Sequence, residues 1–284
     1  IYVKEGTYKT SAPIKITYDN ILFMSITPIF FYRYYGTFHT SIKGGNFDIF
    51  DIACSGFSIQ GFYFIGGINA LHFSISPGGV DMFGLKVEWN GFHNQTGISV
   101  YVDGSAGGTN GFQDAVIIDN NSFDHSSSVA DQTAYIKLAP KTFIYGIRIN
   151  NNLLNPGATD FINITGNGRF DITEIANNRA NCNKSGVNFA HIVVNSGAAT
   201  CIFGDGFHGN IFACTSTAFT SYFIKFELTT GGVPIVPIHN NDIGIAVLSF
   251  VNSAAVGGDA IFQNISIKDN NLNYASIIVT GDVG

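Results

Sequence analysis

The sequence predicts an all-β protein with a single architecture, a right-handed parallel β-helix of about nine coils. First, a six-residue phrase occurs nine times. It begins with an aliphatic residue or Phe and two polar or small residues, usually has Asn in the fourth place, and ends with any residue and another apolar residue. Second, after one short step the fourth places recur every 26 to 32 residues, a period typical of stacked repeats. Third, charged residues make up only 12% of the chain, with 26 Phe and 33 Gly, which favours apolar strands and tight turns over amphipathic helices. The fourth places are held by Gly45, Phe62, Asn90, Asn121, Asn152, Asn178, Asn210, Asn241 and Asn270.

Each repeat contains, in order, a strand, an Asn corner, a short second strand, a loop and a third strand. Apolar residues alternate before the Asn, as at Leu85 and Val87, which is the pattern of a half-buried strand. A second alternating stretch follows, as at Ile98 to Val102, and it ends in turn-forming residues such as Asp103 and Gly104. Stacking places equivalent strands in parallel register about 4.8 Å apart. Aligned Asn side chains can then donate hydrogen bonds to carbonyl groups of the next coil.

Two other repeat folds fit less well. A β-propeller blade needs four strands in roughly 40 residues or more, and a leucine-rich repeat needs regularly spaced leucines. We expect one continuous domain, in which residues 1–40 form an N-terminal cap and the first strands and residues 41–284 form the body. Because the chain opens in the middle of the pattern, we interpret it as a segment of a longer polypeptide.

Composition argues against two classes of partner. The net charge is −6 and no cluster of Lys or Arg occurs, so we do not expect nucleic-acid binding, which requires a basic surface. No apolar run reaches the roughly 18 residues of a membrane-spanning helix, so we do not expect membrane insertion.

The N-terminal residues carry a resemblance to a known family. The stretches Val3 to Tyr8 and Ala12 to Ile16 resemble the opening of pectate-lyase-like β-helices, which include bacteriophage tailspikes and polysaccharide depolymerases. The later phrases are similar to the aliphatic-x-x-Asn-x-Phe coils of the same family. The resemblance implies that a polysaccharide is bound along an outer face and that the protein is extracellular or lies on a virion surface. The low charge and abundant Phe would suit burial between the subunits of a homotrimer. Fold alone does not establish activity, because this architecture supports many functions.

The outward position after the first aliphatic residue supplies the main candidate site. Glu88 and Asp119 occupy it in successive coils, and two carboxylates about 5 Å apart suit a retaining glycosidase. We predict that they act as catalytic acid/base or nucleophile. Trp89, Tyr101 and Tyr135, which we expect to point outward nearby, would form a glycan-binding platform. The alternatives are a solvated outer face or cation binding.

Two further pairs share a ladder position. His93 and Asp124 each lie three residues after their Asn, and we interpret them as a possible secondary catalytic pair or as a hydrogen bond at a corner. His208 and His239 could both bind a metal, but the sequence indicates no third ligand. We therefore expect no metal and no cofactor.

Two more pairs have structural interpretations. Cys182 and Cys214 each follow their Asn by four residues, so we expect neighbouring buried thiols, with a disulfide as the alternative. Arg148 and Glu174 also occupy equivalent positions, which predicts a surface salt bridge.

The sequence leaves the reaction open. It has no dense Asp cluster like the calcium site of pectate lyases, and it lacks the Asn-Thr-Asp, Gly-His-Gly and Arg-Ile-Lys signatures of polygalacturonases. The first hypothesis is a tailspike-like body that binds and degrades a cell-surface polysaccharide, as a glycoside hydrolase or a polysaccharide lyase. The second is a non-catalytic structural or receptor-binding spike of a virion. The aromatic run from Phe30 to Tyr35 could bind glycan, contact another subunit, or pack as part of the cap.

Overall fold

A computed structural model describes the chain as three parallel sheets of ten strands each, stacked coil upon coil. It describes residues 1–25, 40–74, 83–104, 114–126, 130–139, 143–166, 169–183, 185–194, 201–214, 221–228, 232–233, 235–252, 261–262 and 264–280. The predicted aromatic run at 30–35 lies outside these residues. The predicted fold class, a right-handed parallel β-helix, is confirmed. Within the described residues no helix is long and apolar enough to cross a membrane.

Successive strands of the chain enter the three sheets in turn. Sheet 1 contains β1 (Tyr2–Val3), β4 (Leu22–Ser25), β7 (Ser58–Gln60), β10 (Phe83–Glu88), β13 (Asp114–Asp119), β16 (Phe143–Asn150), β19 (Arg169–Ala176), β22 (Cys201–His208), β26 (Val236–His239) and β30 (Ile265–Lys268). Sheet 2 contains β2 (Gly6–Lys9), β5 (Thr40–Lys43), β8 (Tyr63–Ile65), β11 (Gly91–His93), β14 (Ser122–Asp124), β17 (Leu153–Leu154), β20 (Arg179–Cys182), β23 (Ile211–Cys214), β27 (Asp242–Ile243) and β31 (Asn271–Leu272). Sheet 3 contains β3 (Ile14–Ile16), β6 (Phe50–Ile52), β9 (Leu71–Ser74), β12 (Ile98–Asp103), β15 (Gln132–Ala139), β18 (Ala158–Gly166), β21 (Asn188–Val194), β24 (Tyr222–Leu228), β28 (Val247–Asn252) and β32 (Ser276–Thr280). A small separate sheet pairs β25 (Gly232–Val233) with β29 (Ile261–Phe262).

The register gives ten coils where the repeated phrase predicted about nine. The phrase that begins at Ile42 is not an equivalent copy, because Ile42 pairs with Phe64 on sheet 2 and so holds the second apolar place. The first apolar place of that coil belongs to Phe23, which pairs with Ile59 on sheet 1. The strand β1 then adds one more coil before it, so the solenoid begins with the N-terminal strands.

A ladder of buried Asn side chains closes the corner between sheets 1 and 2. Asn121 shows the pattern: its Nδ2 donates to the Val87 carbonyl of the preceding coil at 2.9 Å and to Oδ1 of Asn152 in the next coil at 3.1 Å. The backbone N–H of Asn121 also donates to Oδ1 of Asn152 at 3.0 Å. The predicted donation between coils is therefore confirmed, with one difference: the backbone carbonyl that accepts belongs to the preceding coil, and the next coil accepts through the side chain of its Asn. A fully satisfied buried polar network of this kind fixes the coil register.

The interior is filled by aromatic and aliphatic side chains. Phe64, Phe92, Phe123, Tyr135 and Phe161 stack along the axis with ring centroids 5.2, 4.8, 5.4 and 5.6 Å apart. All five are buried. Each coil therefore buries its apolar face mainly against its two neighbours, as expected of a solenoid.

Two of the predicted structural pairs can be compared with the structure. Cys182 and Cys214 are paired in register and buried, and their sulfur atoms lie 3.3 Å apart, a contact much longer than a disulfide bond of about 2.05 Å. The prediction of neighbouring buried thiols is confirmed. Arg148 and Glu174 are also register neighbours, but the Glu174 carboxylate accepts a hydrogen bond from Asn150 at 2.7 Å.

Candidate functional site

The outer face of sheet 1 brings the two predicted catalytic carboxylates together. Glu88 and Asp119 are paired in register on adjacent strands, and both are partly buried. Oε2 of Glu88 lies 2.9 Å from Nζ of Lys86, and Oδ1 of Asp119 accepts a hydrogen bond of 2.9 Å from Asn151. Their placement in neighbouring coils is confirmed. Adjacent parallel strands are about 4.8 Å apart, close to the roughly 5 Å separation of a retaining carboxylate pair.

Trp89 follows Glu88 at the corner, in a backbone conformation that bulky side chains disfavour. Its φ is 58° and its side chain is 40% exposed. The equivalent corners of later coils hold Asn120, Asn151 and Asn177, which tolerate positive φ well. A bulky residue in this region costs about 1 kcal/mol or more. Such an outlier motivates a functional hypothesis, since an Asn here would be the easier solution.

The predicted glycan platform is divided between faces. Tyr101 is partly exposed, but it lies on sheet 3, whereas Glu88 and Asp119 lie on sheet 1. The prediction that Tyr135 points outward is wrong. Tyr135 is 0% exposed, stacks inside the solenoid and donates its hydroxyl to the Asn155 carbonyl at 2.8 Å.

The error at Tyr135 has a local cause. Ala134, Tyr135 and Ile136, the third to fifth residues of β15, are all buried near the corner at which the chain enters sheet 3. Strict alternation begins only after this point, with Lys137 half-exposed. The equivalent residue of the preceding coil, Ser99, is buried in the same way. Period-two alternation therefore does not extend through the corner.

His93 and Asp124 are register neighbours on sheet 2, as predicted. Nδ1 of His93 lies 3.5 Å from Oδ2 of Asp124, which is an electrostatic contact rather than a good hydrogen bond. The ring of Tyr63 stacks on His93 with centroids 6.0 Å apart. A catalytic role for the pair stays a prediction.

Sheet 3 carries a cluster that sequence reasoning missed. Nδ1 of His72 lies 2.8 Å from Oδ2 of Asp48, and its Nε2 lies 3.5 Å from Oδ2 of Asp103. Asn69 donates to Asp48 from its backbone N–H at 3.1 Å and from its side chain at 2.8 Å. Tyr101 stacks on His72 with ring centroids 5.0 Å apart and planes 4° apart.

These contacts set the charges of the cluster. Burial acts to lower the pKa of His72, but the hydrogen bond and charge of Asp48 and the charge of Asp103 outweigh it, so the pKa of His72 is raised. For Asp48, burial acts to raise the pKa, and the His72 contact and the Asn69 hydrogen bonds lower it overall. Burial and the charge of Asp103 raise the pKa of Tyr101 to about 12. His72 is therefore held between two carboxylates that favour its protonated form.

A similar cluster recurs on the same face. His191 lies 3.1 Å from Asp160 through Nδ1 and 3.7 Å from Glu227 through Nε2. Burial acts to raise the pKa of Asp160, but hydrogen bonds from His191, Asn188 and Asn163 lower it overall. One outward row joins the two clusters through successive register pairs. Its residues are Asp51, His72, Tyr101, Lys137, Asn163, His191 and Lys225.

The raised pKa of His72 gives a stability prediction. Because the folded-state pKa lies above the unfolded value of about 6.5, the stabilisation is fully present below pH about 6.5 and is lost as pH rises through the folded pKa. As the pH is raised from 6, we expect the melting temperature of the wild-type protein to fall by more than the melting temperature of His72→Gln, both measured by circular dichroism. Asp48→Asn should remove the same component, since it removes the charge that holds the proton. Equal pH dependence in wild type and both variants would contradict the assignment.

In comparisons with known proteins, no family model, no curated protein and no solved structure matches the chain. Beyond the motifs of the sequence itself, the case for function therefore rests on the geometry of the outer faces.

Proposed function

We propose that the chain is the β-helical body of a tailspike-like protein that binds and degrades a cell-surface polysaccharide. The observation that carries the proposal is Trp89, an exposed indole kept at a strained corner directly beside the register-paired Glu88 and Asp119. The resemblance of the N-terminal stretches to pectate-lyase-like tailspikes supports the same class. We also propose that the protein is a homotrimer, which analytical ultracentrifugation would test. We further propose that it lies on a virion or outside the cell.

The chemistry of the face suits a sugar polymer. A pyranose ring has an apolar surface that can stack on the exposed indole of Trp89, as it does on other flat aromatic side chains. Glu88, Asp119 and Asn150 follow one another along the solenoid at one residue per coil, and each can hydrogen-bond hydroxyl groups. The spacing of about 4.8 Å between coils is similar to the length of one sugar unit, so a chain could contact successive coils in register.

The direct test replaces Trp89 by the residue that neighbouring corners use. We expect Trp89→Asn to weaken binding to the polysaccharide roughly two- to twelvefold, because an aromatic stack contributes roughly 0.5–1.5 kcal/mol and about 1.4 kcal/mol is a factor of ten. The same variant should be more stable than wild type by about 1 kcal/mol, since Asn tolerates the left-handed backbone. The measurements are binding to a panel of capsular polysaccharides by glycan array and calorimetry, and unfolding by urea.

Tyr274 offers a matched control, because it is also an exposed aromatic residue with a φ of 58°. It lies at the C-terminal end of the solenoid, well separated along the coils from Glu88. Tyr274→Asn should relieve similar backbone strain and leave glycan binding unchanged. If Trp89→Asn binds as well as wild type to every polysaccharide that wild type recognises, the glycan assignment of this face fails.

A further inference from the structure

We propose that Glu174, Asp205 and His208 form a binding site for a divalent transition-metal ion on the outer face of sheet 1. Each residue offers one ligand atom, and these atoms all lie within 4.8 Å of one another. The proposal is independent of the polysaccharide function. The sequence indicated His208 as a candidate metal ligand together with His239, whereas the structure brings two carboxylates to His208.

A β-bulge brings Asp205 to the site. Between Ile172 and Glu174 the pairing of β19 with β22 shifts, so that β22 has one extra residue, and Glu174 then pairs with Gly206. Gly206 has a φ of 67°, and a Cβ added there would lie 2.3 Å from the Pro237 carbonyl oxygen, so the bulge requires glycine. Bulges re-aim side chains near functional sites. Here the extra residue places an exposed carboxylate beside Glu174 and His208.

The neighbouring coil holds Glu174 in position. Asn150 donates from Nδ2 to Oε1 of Glu174 at 2.7 Å, and its own Oδ1 accepts from the backbone N–H of Ala176 at 3.0 Å. One carboxylate oxygen is thus fixed, while Oε2 faces Nε2 of His208. A hydrogen bond of this kind, from a residue that does not itself touch the metal, fixes the orientation of a metal ligand.

The separation of the two facing atoms fits shared coordination. Nε2 of His208 and Oε2 of Glu174 are 3.4 Å apart, which is longer than a usual N–H···O hydrogen bond of about 2.9 Å. Two ligands at about 2.1 Å from a tetrahedral ion lie about 3.4 Å from each other. The carboxylate of the exposed Asp205 lies within 4.8 Å of both atoms, so only a small rotation of its side chain is needed to reach a third position.

The donor set favours one class of metal. One imidazole with two carboxylates suits Zn²⁺, Mn²⁺, Fe²⁺ or Co²⁺, whereas Ca²⁺ and Mg²⁺ prefer all-oxygen sites. His239 pairs in register with His208 and stacks on it, with ring centroids 5.2 Å apart and planes 9° apart. Because the two rings are stacked in parallel, we expect His239 to hold the ring of His208 in place and not to act as a ligand itself. Three protein ligands leave a coordination position for water or another molecule.

Calorimetry tests the site directly. Protein without a polyhistidine tag is treated with EDTA, dialysed, and titrated with ZnCl₂, MnCl₂ or CaCl₂. We expect one Zn²⁺ per chain and markedly weaker binding of Ca²⁺. Asp205→Asn and His208→Gln should each weaken Zn²⁺ binding more than tenfold, and Asn150→Ala should weaken it about tenfold, as loss of an outer-shell partner does.

His191→Gln is the matched control, since His191 also lies between two carboxylates but faces them with opposite ring nitrogens. It should bind Zn²⁺ as wild type does. A second measurement needs no variant: Mn²⁺ should broaden the NMR signals of the His208 ring at lower concentration than those of His191. The proposal is overturned if Zn²⁺ does not bind, if Asp205→Asn and His208→Gln bind it unchanged, or if Mn²⁺ broadens both histidines alike.

Discussion

Replacing Asn152 by alanine is expected to lower the free energy of unfolding by about 3 kcal/mol. Asn152 is 1% exposed and lies at the middle of the Asn ladder. Its Oδ1 accepts from the backbone N–H of Asn121 at 3.0 Å, and its Nδ2 donates to the Ile118 carbonyl at 3.0 Å. Alanine would leave both backbone groups buried without these partners, and each such loss costs about 1–3 kcal/mol.

Aspartate at the same place is a sharper probe, because it keeps the shape and one acceptor. Asn152→Asp loses the Nδ2 donor to Ile118 and Asn178 and introduces a buried carboxylate next to two carbonyl oxygens. We expect it to be at least as destabilising as alanine, since an unpaired buried charge is more costly than a missing hydrogen bond. Its effect should shrink at low pH, where the carboxyl group is protonated.

The measurement is urea or thermal unfolding followed by circular dichroism, with midpoints compared because solenoids can unfold in more than one step. Asn177→Gly is the control. Asn177 is an exposed corner residue with a φ of 55°, next to the ladder residue Asn178, and glycine accepts that backbone conformation. If Asn152→Ala is no less stable than Asn177→Gly, the ladder does not stabilise the solenoid in the way described.

The repeat made most of the fold predictable. A buried Asn, three strands and a glycine or asparagine turn recur because each coil must satisfy the same backbone groups against its neighbours. Prediction failed where the phrase loses its Asn. The phrase at Ile42 has Gly45 rather than Asn at its fourth place, and its strand belongs to sheet 2 and not, as the alignment required, to sheet 1. Phe23 holds the first apolar place of that coil, but it is followed by Met24 and Ser25 and by no Asn at the fourth place, so the pattern is not recognisable there.

The candidate sites were predictable only where they follow the ladder. Glu88 pairs with Asp119, and His93 with Asp124, because equivalent residues of adjacent coils must meet. Asp48 reaches His72 from a loop before β6, which no ladder position indicates.

Asp205 was missed for a different reason. It is an extra residue in a bulge, and the sole hint in the sequence is the glycine on each side of it. Bulges and loops interrupt the repeat, so functional residues that lie in them cannot be predicted from the repeat.

The largest functional effect is expected for the carboxylate pair. If the chain degrades polysaccharide, Glu88→Gln and Asp119→Asn should each reduce product release by about a hundred- to ten-thousandfold, the usual contribution of a positioned acid or base. Both changes keep the side-chain shape, and the Asn ladder and Trp89 are untouched, so binding should be retained. Reducing ends would indicate hydrolysis, and unsaturated products would indicate lyase chemistry.

Asp242→Asn is the control for this pair, because Asp242 is an exposed carboxylate on sheet 2 that accepts a hydrogen bond from Asn271 at 3.0 Å. It should leave both binding and product release unchanged. The outcomes separate the two functions that the outer face allows. Release that persists in Glu88→Gln and Asp119→Asn assigns catalysis to other residues, with the His93 and Asp124 pair next to be tested. Wild-type protein that binds a polysaccharide through Trp89 but releases no product from it is a receptor-binding spike, in which the carboxylates hold sugar hydroxyls and do no chemistry.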